Sequence, residues 1–269
     1  MSKKETAGGM SGISNKEANV ELAALRAVKS SPFATQLVSH TEDKHNAYLL
    51  MECCCCDLFS LMREAENSGS SLGTKRTQFI LAQVVDVLDT LHKRHFIYRD
   101  LKPENILVGA DGFVQLCDFG SCFQQSHANE RSKTQCGTVE YQAPEQLNGQ
   151  LHSRAIDFWS LGCLLYDITC QQPFADAEDD DDVRDMILDY VKTGVLPWLN
   201  GEKKVRVAAS TKELVEKLLV PDPRRRLGMG PEGADEIRSA PFFSSIDWVF
   251  PFSISTLNPR DFTSQDSFC

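Results

Sequence analysis

The residues best equipped for chemistry lie between positions 98 and 159. Tyr98-Arg99-Asp100-Leu101-Lys102-Pro103-Glu104-Asn105 is followed by Asp118-Phe119-Gly120, then Ala143-Pro144-Glu145, then Asp157-Phe158-Trp159. Carboxylates such as Asp100 and Asp118 can accept a proton or help hold a hard cation, which takes oxygen ligands. The Asn105 amide offers another oxygen, and Lys102 a positive charge for an anionic group. Such a set suits a reaction that needs charge neutralisation and positioning more than a covalent intermediate. Singly, each residue has a plain reading: an aspartate near a turn is commonly a cap, and Arg99 an ordinary surface cation. Four phrases in one order are far more specific than any one of them.

These residues need elements that hold them. From Lys75 to Lys93 the apolar residues Phe79, Ile80, Val84, Val87, Leu88 and Leu91 recur at helical spacing, which predicts an amphipathic helix. Ile106–Val108 and Phe113–Cys117 read as two short strands, with Gly109-Ala110-Asp111-Gly112 as a hairpin turn. That hairpin brings Asn105 and Asp118 together. Ala155–Cys170 is apolar on nearly every side, the pattern of a buried helix, and Asp157 stands near its start. At the front, Val20, Ala23, Ala24, Ala27 and Val28 predict a short helix from Asn19 to Lys29, and Ala47–Met51 a strand leading into four consecutive cysteines. Ser210-Thr211-Lys212-Glu213 reads as a capping box opening a helix that carries Leu214, Leu218 and Leu219. The first twenty residues look loosely ordered, and no repeat has a fixed period.

Composition narrows the class. The 269 residues are 42% hydrophobic and 25% charged, with a net charge of −10, as expected of a folded domain rather than a disordered or fibrous chain. The isoelectric point near 5.1 argues against nucleic acid as partner. No apolar run approaches the ~18 residues of a membrane helix, and the polar start Met1–Glu5 lacks a signal-peptide stretch. A cytoplasmic or nuclear location is the expectation. The ten cysteines include the run Cys53–Cys56 and otherwise lack paired spacing, so they read as free thiols in a reducing compartment. A zinc site on that run would need ligands at finger-like spacing, and none stand there. Residues 176–185 hold six of the ten net negative charges. They read as a solvated loop, with attraction of basic substrates as the alternative.

In their order and setting, the four phrases resemble those of eukaryotic protein kinases. Within that family the chain is most similar to the AGC-type serine/threonine kinases, the relatives of the cyclic-nucleotide-dependent kinases. Tyr98 opens the catalytic loop, Thr134-Gln135-Cys136-Gly137-Thr138-Val139-Glu140-Tyr141 resembles their activation segment, and Arg225-Arg226-Leu227-Gly228 with Pro241-Phe242-Phe243 resembles the domain's end. The resemblance implies an α+β, two-lobed fold. A partial small lobe is expected at 1–52, a mainly helical large lobe at 53–248 and a tail at 249–269. It implies transfer of the ATP γ-phosphate, with Mg²⁺, to Ser/Thr of protein substrates carrying basic flanking residues.

Roles carry over position by position. Asp100 matches the carboxylate that accepts the hydroxyl proton, and Lys102 the cation at the transferring group. Asn105 and Asp118 match the metal ligands. Met51 matches the gatekeeper, Glu52 and Cys54 the hinge that meets adenine, Leu107 the floor of that pocket, Asp57 the ribose contact, and Cys117 a thiol facing the nucleotide. Glu21 matches the glutamate of the small-lobe helix. Thr134 matches an activating phosphorylation site for an upstream kinase, Arg99 the cation that receives the phosphate, and Thr138 a residue selecting Ser/Thr hydroxyls. Glu145 and Arg226 match a structural ion pair, Asp157 a tether of the catalytic loop, and Glu104 and Asp167 the receivers of a basic substrate residue.

The front departs from the pattern. Gly8, Gly9 and Gly12 do not form a Gly-rich phosphate loop, and no strands are expected beside them. Lys3 and Lys4 lie near the usual distance before Glu21, but the expected strand lysine is read as absent. Only two small-lobe strands are expected, a marginal sheet. A sequence cut short at its front is the preferred explanation. The second reading of function, a catalytically impaired relative acting as a binding scaffold, stays open.

Overall fold

The computed structural model describes residues 12–44, 46–54, 56–109, 111–127, 130–170, 179–196 and 207–248. In chain order its elements are β1 (Gly12–Ser14), α1 (Asn15–Ala27), β2 (Leu37–Glu42), β3 (Asn46–Met51), β4 (Cys56–Asp57), α2 (Leu58–Asn67), α3 (Gly73–Lys93) and β5 (Phe96–Ile97). Then come β6 (Ile106–Val108), β7 (Val114–Leu116), β8 (Phe123–Gln124), α4 (Pro144–Leu147), α5 (Ala155–Cys170), α6 (Asp180–Thr193), α7 (Ala209–Leu218) and α8 (Ala234–Arg238).

Three small antiparallel sheets sit among the helices. The first has the order β1-β3-β2, the second β4-β6-β7, and the third pairs β5 with β8. The first corrects the expectation for the front. Gly12 lies in a strand, paired with Tyr48, so the sheet has three strands rather than two. The strand is too short to show as a hydrophobic alternation, and its pairing is non-local. Lys3, Lys4, Gly8, Gly9 and the tail at 249–269 lie outside the described residues.

The core is built around α5 and α3. Every residue of α5 except Thr169 is buried, Asp157 included. Along α3, Phe79, Ile80, Val84, Val87, Leu88 and Leu91 all face inward, as their spacing predicts. Closing Gly162 of α5 against Leu218 and Leu219 leaves no room for a Cβ, which would come within 2.9 Å of the Leu218 side chain.

Three local expectations need correction. The front helix runs from Asn15 to Ala27, not Asn19 to Lys29; its first turn is polar, so periodicity could not mark its start. α7 opens one residue before Ser210, at Ala209 after the extended Ala208, and no side-chain cap bond forms there, so the capping box is not made. The acidic run is not simply a loop. Asp179 caps α6, accepting from the N–H groups of Asp181 and Asp182 at 2.9 and 3.0 Å, and Asp180, Asp181 and Asp182 fill its first turn. Negative charge there complements the helix dipole. The earlier residues of that run, Asp176 and Glu178, lie outside the described residues.

Candidate active site

The hairpin β6–β7 sets the centre. Ile106 pairs with Leu116, and Cys117 N–H donates to Asn105 O at 2.9 Å, so Asp118 follows directly on the partner of Asn105. Asp118 adopts φ 54° and Arg99 φ 74°, a backbone region unfavourable for both residue types. Such outliers persist only where the surroundings over-determine them.

Asp157 supplies that support at Arg99. From the buried start of α5, its Oδ1 accepts Arg99 N–H at 2.8 Å and its Oδ2 accepts Tyr98 N–H at 2.9 Å. Oδ2 also meets His92 Nε2 at 2.7 Å. A carboxylate only accepts, so the ring proton sits on Nε2. Asp157→Ala strands three buried donors, each costing about 1–3 kcal/mol. We expect amide exchange at Tyr98 and Arg99 to speed up by about tenfold or more in that variant; unchanged protection would show that Asp157 is not the tether.

Four predicted residues converge beyond this tether. Asp100 Oδ1 accepts Thr138 N–H and Oγ–H, both at 3.1 Å. Asp100 Oδ2 accepts from Asn105 Nδ2 at 3.1 Å and lies 3.4 Å from Lys102 Nζ. Lys102 Nζ donates to Thr138 Oγ1 at 2.7 Å. Asn105 Nδ2 also donates to Asp100 O at 2.8 Å. Both amide hydrogens are thereby committed to Asp100, which leaves the lone pairs of the amide oxygen for a cation or a hydrogen-bond donor. Gly137 lets the activation segment come this close. At φ 89°, any Cβ there would lie 2.5 Å from Arg99 O.

Phe119 is fully buried, edge-on to Tyr98 at 5.7 Å between centroids. The Tyr98 hydroxyl donates to Cys117 O, and burial pushes its pKa well up, so it stays a neutral donor. Glu21 is buried on α1, and its carboxylate faces Gly120, where a Cβ would stand 3.7 Å from Oε2.

Arg99 holds the segment after Gly120. It donates through Nε to Ser121 O at 2.6 Å, Nη2 to Cys122 O at 3.3 Å and Nη1 to Ser132 Oγ at 3.0 Å, and stands over the Phe123 ring at 5.6 Å. Ser132 Oγ also accepts Thr134 N–H at 3.2 Å. Thr134 is exposed and two residues from the Arg99 contact. The main chain of Ser132 pairs antiparallel with His152 at 3.0 and 2.9 Å. Ser132, Gly137 and His92 escaped the sequence reading. Only the glycine, within Cys136-Gly137-Thr138, carried a local signal.

Farther out, Arg226 and Glu145 form a buried bidentate pair at 2.8 and 3.1 Å. Arg226 also donates to Ala155 O at 2.8 Å and lies over Trp159 at 5.1 Å. Asp167 is buried and accepts from the Tyr141 hydroxyl at 2.5 Å. Desolvation pushes its pKa up to about 6, against the Tyr141 bond, with Glu104 and Glu66 adding to the rise. Glu104 itself is exposed.

The hinge side is looser. Met51 is half-buried, Glu52 exposed, and Glu52 N–H is already bonded to Gln36 O at 3.1 Å. Cys54 Sγ meets Gln115 Oε1 at 3.3 Å. Asp57 Oδ1 caps α2, accepting Ser60 N–H at 2.7 Å, so one of the oxygens assigned to a sugar is occupied. Leu107 lies between Asp57 and Gln115 in the sheet register. A half-open pocket lined by Gly73, Thr77, Thr169, Thr211 and Phe242 lies elsewhere. Thr169 is twelve residues along α5 from Asp157, about 18 Å.

The comparisons with known proteins agree with this geometry. Residues 2–243 match the protein kinase domain. The chain belongs to the protein kinase family. Protein kinase C-like of Neurospora crassa is 35% identical over 217 residues, 81% of this chain and 18% of that protein. Serine/threonine-protein kinase gad8 of Schizosaccharomyces pombe is 42% identical over 176 residues, 65% of this chain and 29% of the relative. Ribosomal protein S6 kinase beta of Caenorhabditis elegans is 38% identical over 225 residues, 83% of this chain and 38% of the relative. These similarities make it an AGC-type serine/threonine protein kinase by family, with the α+β kinase fold. This kinase chain spans less than two fifths of the length of these relatives. No helix among the described residues is long and apolar enough to cross a membrane.

Proposed function

We propose that the chain transfers the γ-phosphate of ATP to serine or threonine hydroxyls of protein substrates. The observation that carries this reading is the placement of Lys102, Asn105 and Thr138 within direct hydrogen-bond or ion-pair reach of Asp100, with Lys102 also bonded to Thr138. Asp100 orients the substrate hydroxyl and takes its proton; Lys102 faces the charge that builds on the transferring group. Thr138 holds both and limits what hydroxyl can enter. The Asn105 amide oxygen and the Asp118 carboxylate suit Mg²⁺, a hard cation that would neutralise phosphate charge when bound. Met51, Glu52, Cys54 and Leu107 would border adenine, Asp57 the ribose, and Cys117 the inner wall. The lobe division at 1–52 and 53–248, Glu21 as the glutamate of the small-lobe helix, and Thr134 as the target of an upstream kinase belong to the same reading. A cytoplasmic site of action fits it.

The test is transfer of labelled phosphate from ATP to a basic serine peptide, with the Asp100→Asn protein as control. Equal signal from both proteins would sink the enzyme reading and leave a binding scaffold in its place.

Asp167 gives the reading a pH signature. With Glu104 it is proposed to receive a basic side chain of the substrate. In the folded chain Asp167 keeps its proton to about pH 6, above the ordinary carboxylate range near 4. Between those values the folded state binds the extra proton, so stability contributed by this group falls as pH rises through the window. A substrate cation favours the ionised form. The KM for a basic peptide should therefore fall several-fold from pH 5 to pH 7.5, and Asp167→Asn should flatten the profile. A flat profile in the unaltered protein would remove Asp167 from the substrate site.

A further inference from the structure

We infer that the half-open pocket between the starts of α3 and α7 is a binding site for a free, singly protonated phosphate ion, separate from the transfer residues. Gly73, Thr74 and Thr77 of α3 line it, with Ala208 and Thr211 at the start of α7 and Thr169 near the end of α5. Neither helix has a side-chain cap: Leu72 and Ala208 stand at the cap positions. The first N–H groups of a helix lack partners within it, and with the helix dipole they favour an anion. A helix of 21 residues and one of 10 both begin at this pocket. A buried side chain points to the guest. Thr211 is 2% exposed and lines the pocket, and its hydroxyl has no hydrogen-bond partner among the described residues. A buried hydroxyl without a partner is destabilising, so Thr211 calls for a ligand that supplies one.

The neighbouring hydroxyls narrow the chemistry. Thr77 Oγ donates its proton to Gly73 O at 2.9 Å, and Thr169 Oγ donates to Leu165 O at 2.7 Å. With those protons committed, both oxygens can only accept from a guest. Thr211 and the helix N–H groups can donate. The ligand must therefore bring several acceptor oxygens and an O–H of its own. Monohydrogen phosphate has both, whereas sulfate and a carboxylate ion carry no proton to give. The pocket volume of ≈ 120 Å³ is well above the ~10–15 Å³ that one water needs, so a small tetrahedral ion has room. Among the described residues no carboxylate lines the pocket. Burial raises the pKa of the Cys170 thiol, and the Lys212 charge opposes that rise, which puts a cation beside the end of α5 next to Thr169.

The test uses the full chain in phosphate-free buffer, titrated with inorganic phosphate, sulfate and O-phosphoserine, and read by calorimetry and melting temperature. We expect saturable phosphate binding that raises the melting temperature, as any ligand of the folded state does. Sulfate should bind at least about tenfold more weakly, for want of one hydrogen bond to an ion. Thr211→Val keeps the branched shape and removes the hydroxyl. Without phosphate it should melt no lower than the unaltered protein, because it buries no unpartnered group. It should lose at least about tenfold in phosphate affinity. Thr211→Ser, which restores the hydroxyl, should recover most of that loss. Equal phosphate affinity in Thr211→Val would place the ion elsewhere and overturn the inference. So would the absence of saturable binding, or sulfate binding as tightly as phosphate. O-phosphoserine binding more tightly than inorganic phosphate would assign the pocket to a phosphorylated side chain and overturn the free ion as its ligand.

Discussion

Asp100→Asn should lower transfer to a serine peptide by about 10²–10⁴-fold, the usual contribution of a positioned general base. The affinity for MgADP should stay within about twofold. The two readouts separate because Asp100 touches Thr138, Asn105 and Lys102 but none of the hinge residues. An asparagine keeps an oxygen for Thr138 N–H. It places an NH₂ opposite Asn105 Nδ2, where two donors meet, and it cannot take a proton. A matched fall in kcat and kcat/KM would mark the loss as one felt in the transition state. A large rise in the MgADP dissociation constant instead would mean that Asp100 chiefly organises the metal ligands.

The second large effect is on stability. Arg226→Ala should lower the melting temperature by about 6–20 °C. Removing one partner of a buried ion pair typically costs about 3–5 kcal/mol, because the other charge is left buried. For a chain of this size each kcal/mol moves the midpoint by about 2–4 °C. Arg226 is 1% exposed and Glu145 4%, so neither charge finds water when the other is gone. The loss also frees Ala155 O and uncovers the Trp159 face. The double variant Arg226→Met with Glu145→Leu should recover part of the loss, since it strands no charge. A drop below 2 °C for Arg226→Ala would show that the pair is solvated in solution.

Much of this arrangement was legible in the residues. α3 and α5 announce themselves because burial on one side, or on all sides, leaves a periodic or unbroken apolar pattern. The β6–β7 hairpin is marked by Gly109 through Gly112, and it fixes the spacing of Asn105 and Asp118. The front was harder. β1 is three residues long and is held by pairing with β3, a non-local cause that no local pattern records. The opening of α7 was misjudged because Ser210 looks like a cap, although Ala208 already supplies the extended turn. At the site, charged residues could be matched to roles. Their helpers could not, since Ser132 is an unremarkable serine until the chain brings Arg99 against it.

That contact bears on control. Arg99 commits its nitrogens to Ser121, Cys122 and Ser132, and the Ser132 main chain is already zipped to His152. The activation segment is thus held at Ser132 by one side-chain hydroxyl contact and two main-chain hydrogen bonds. In population terms, a two-state segment ordered in about 99 of 100 molecules gains about one hundredth at most from any further contact, however strong. A guanidinium carries five N–H groups and these contacts use three, so the net leverage of a phosphate on Thr134 is what it adds to the contacts already made. The strength of the serine latch, more than the strength of any phosphate, sets how much dynamic range is left for a signal to use.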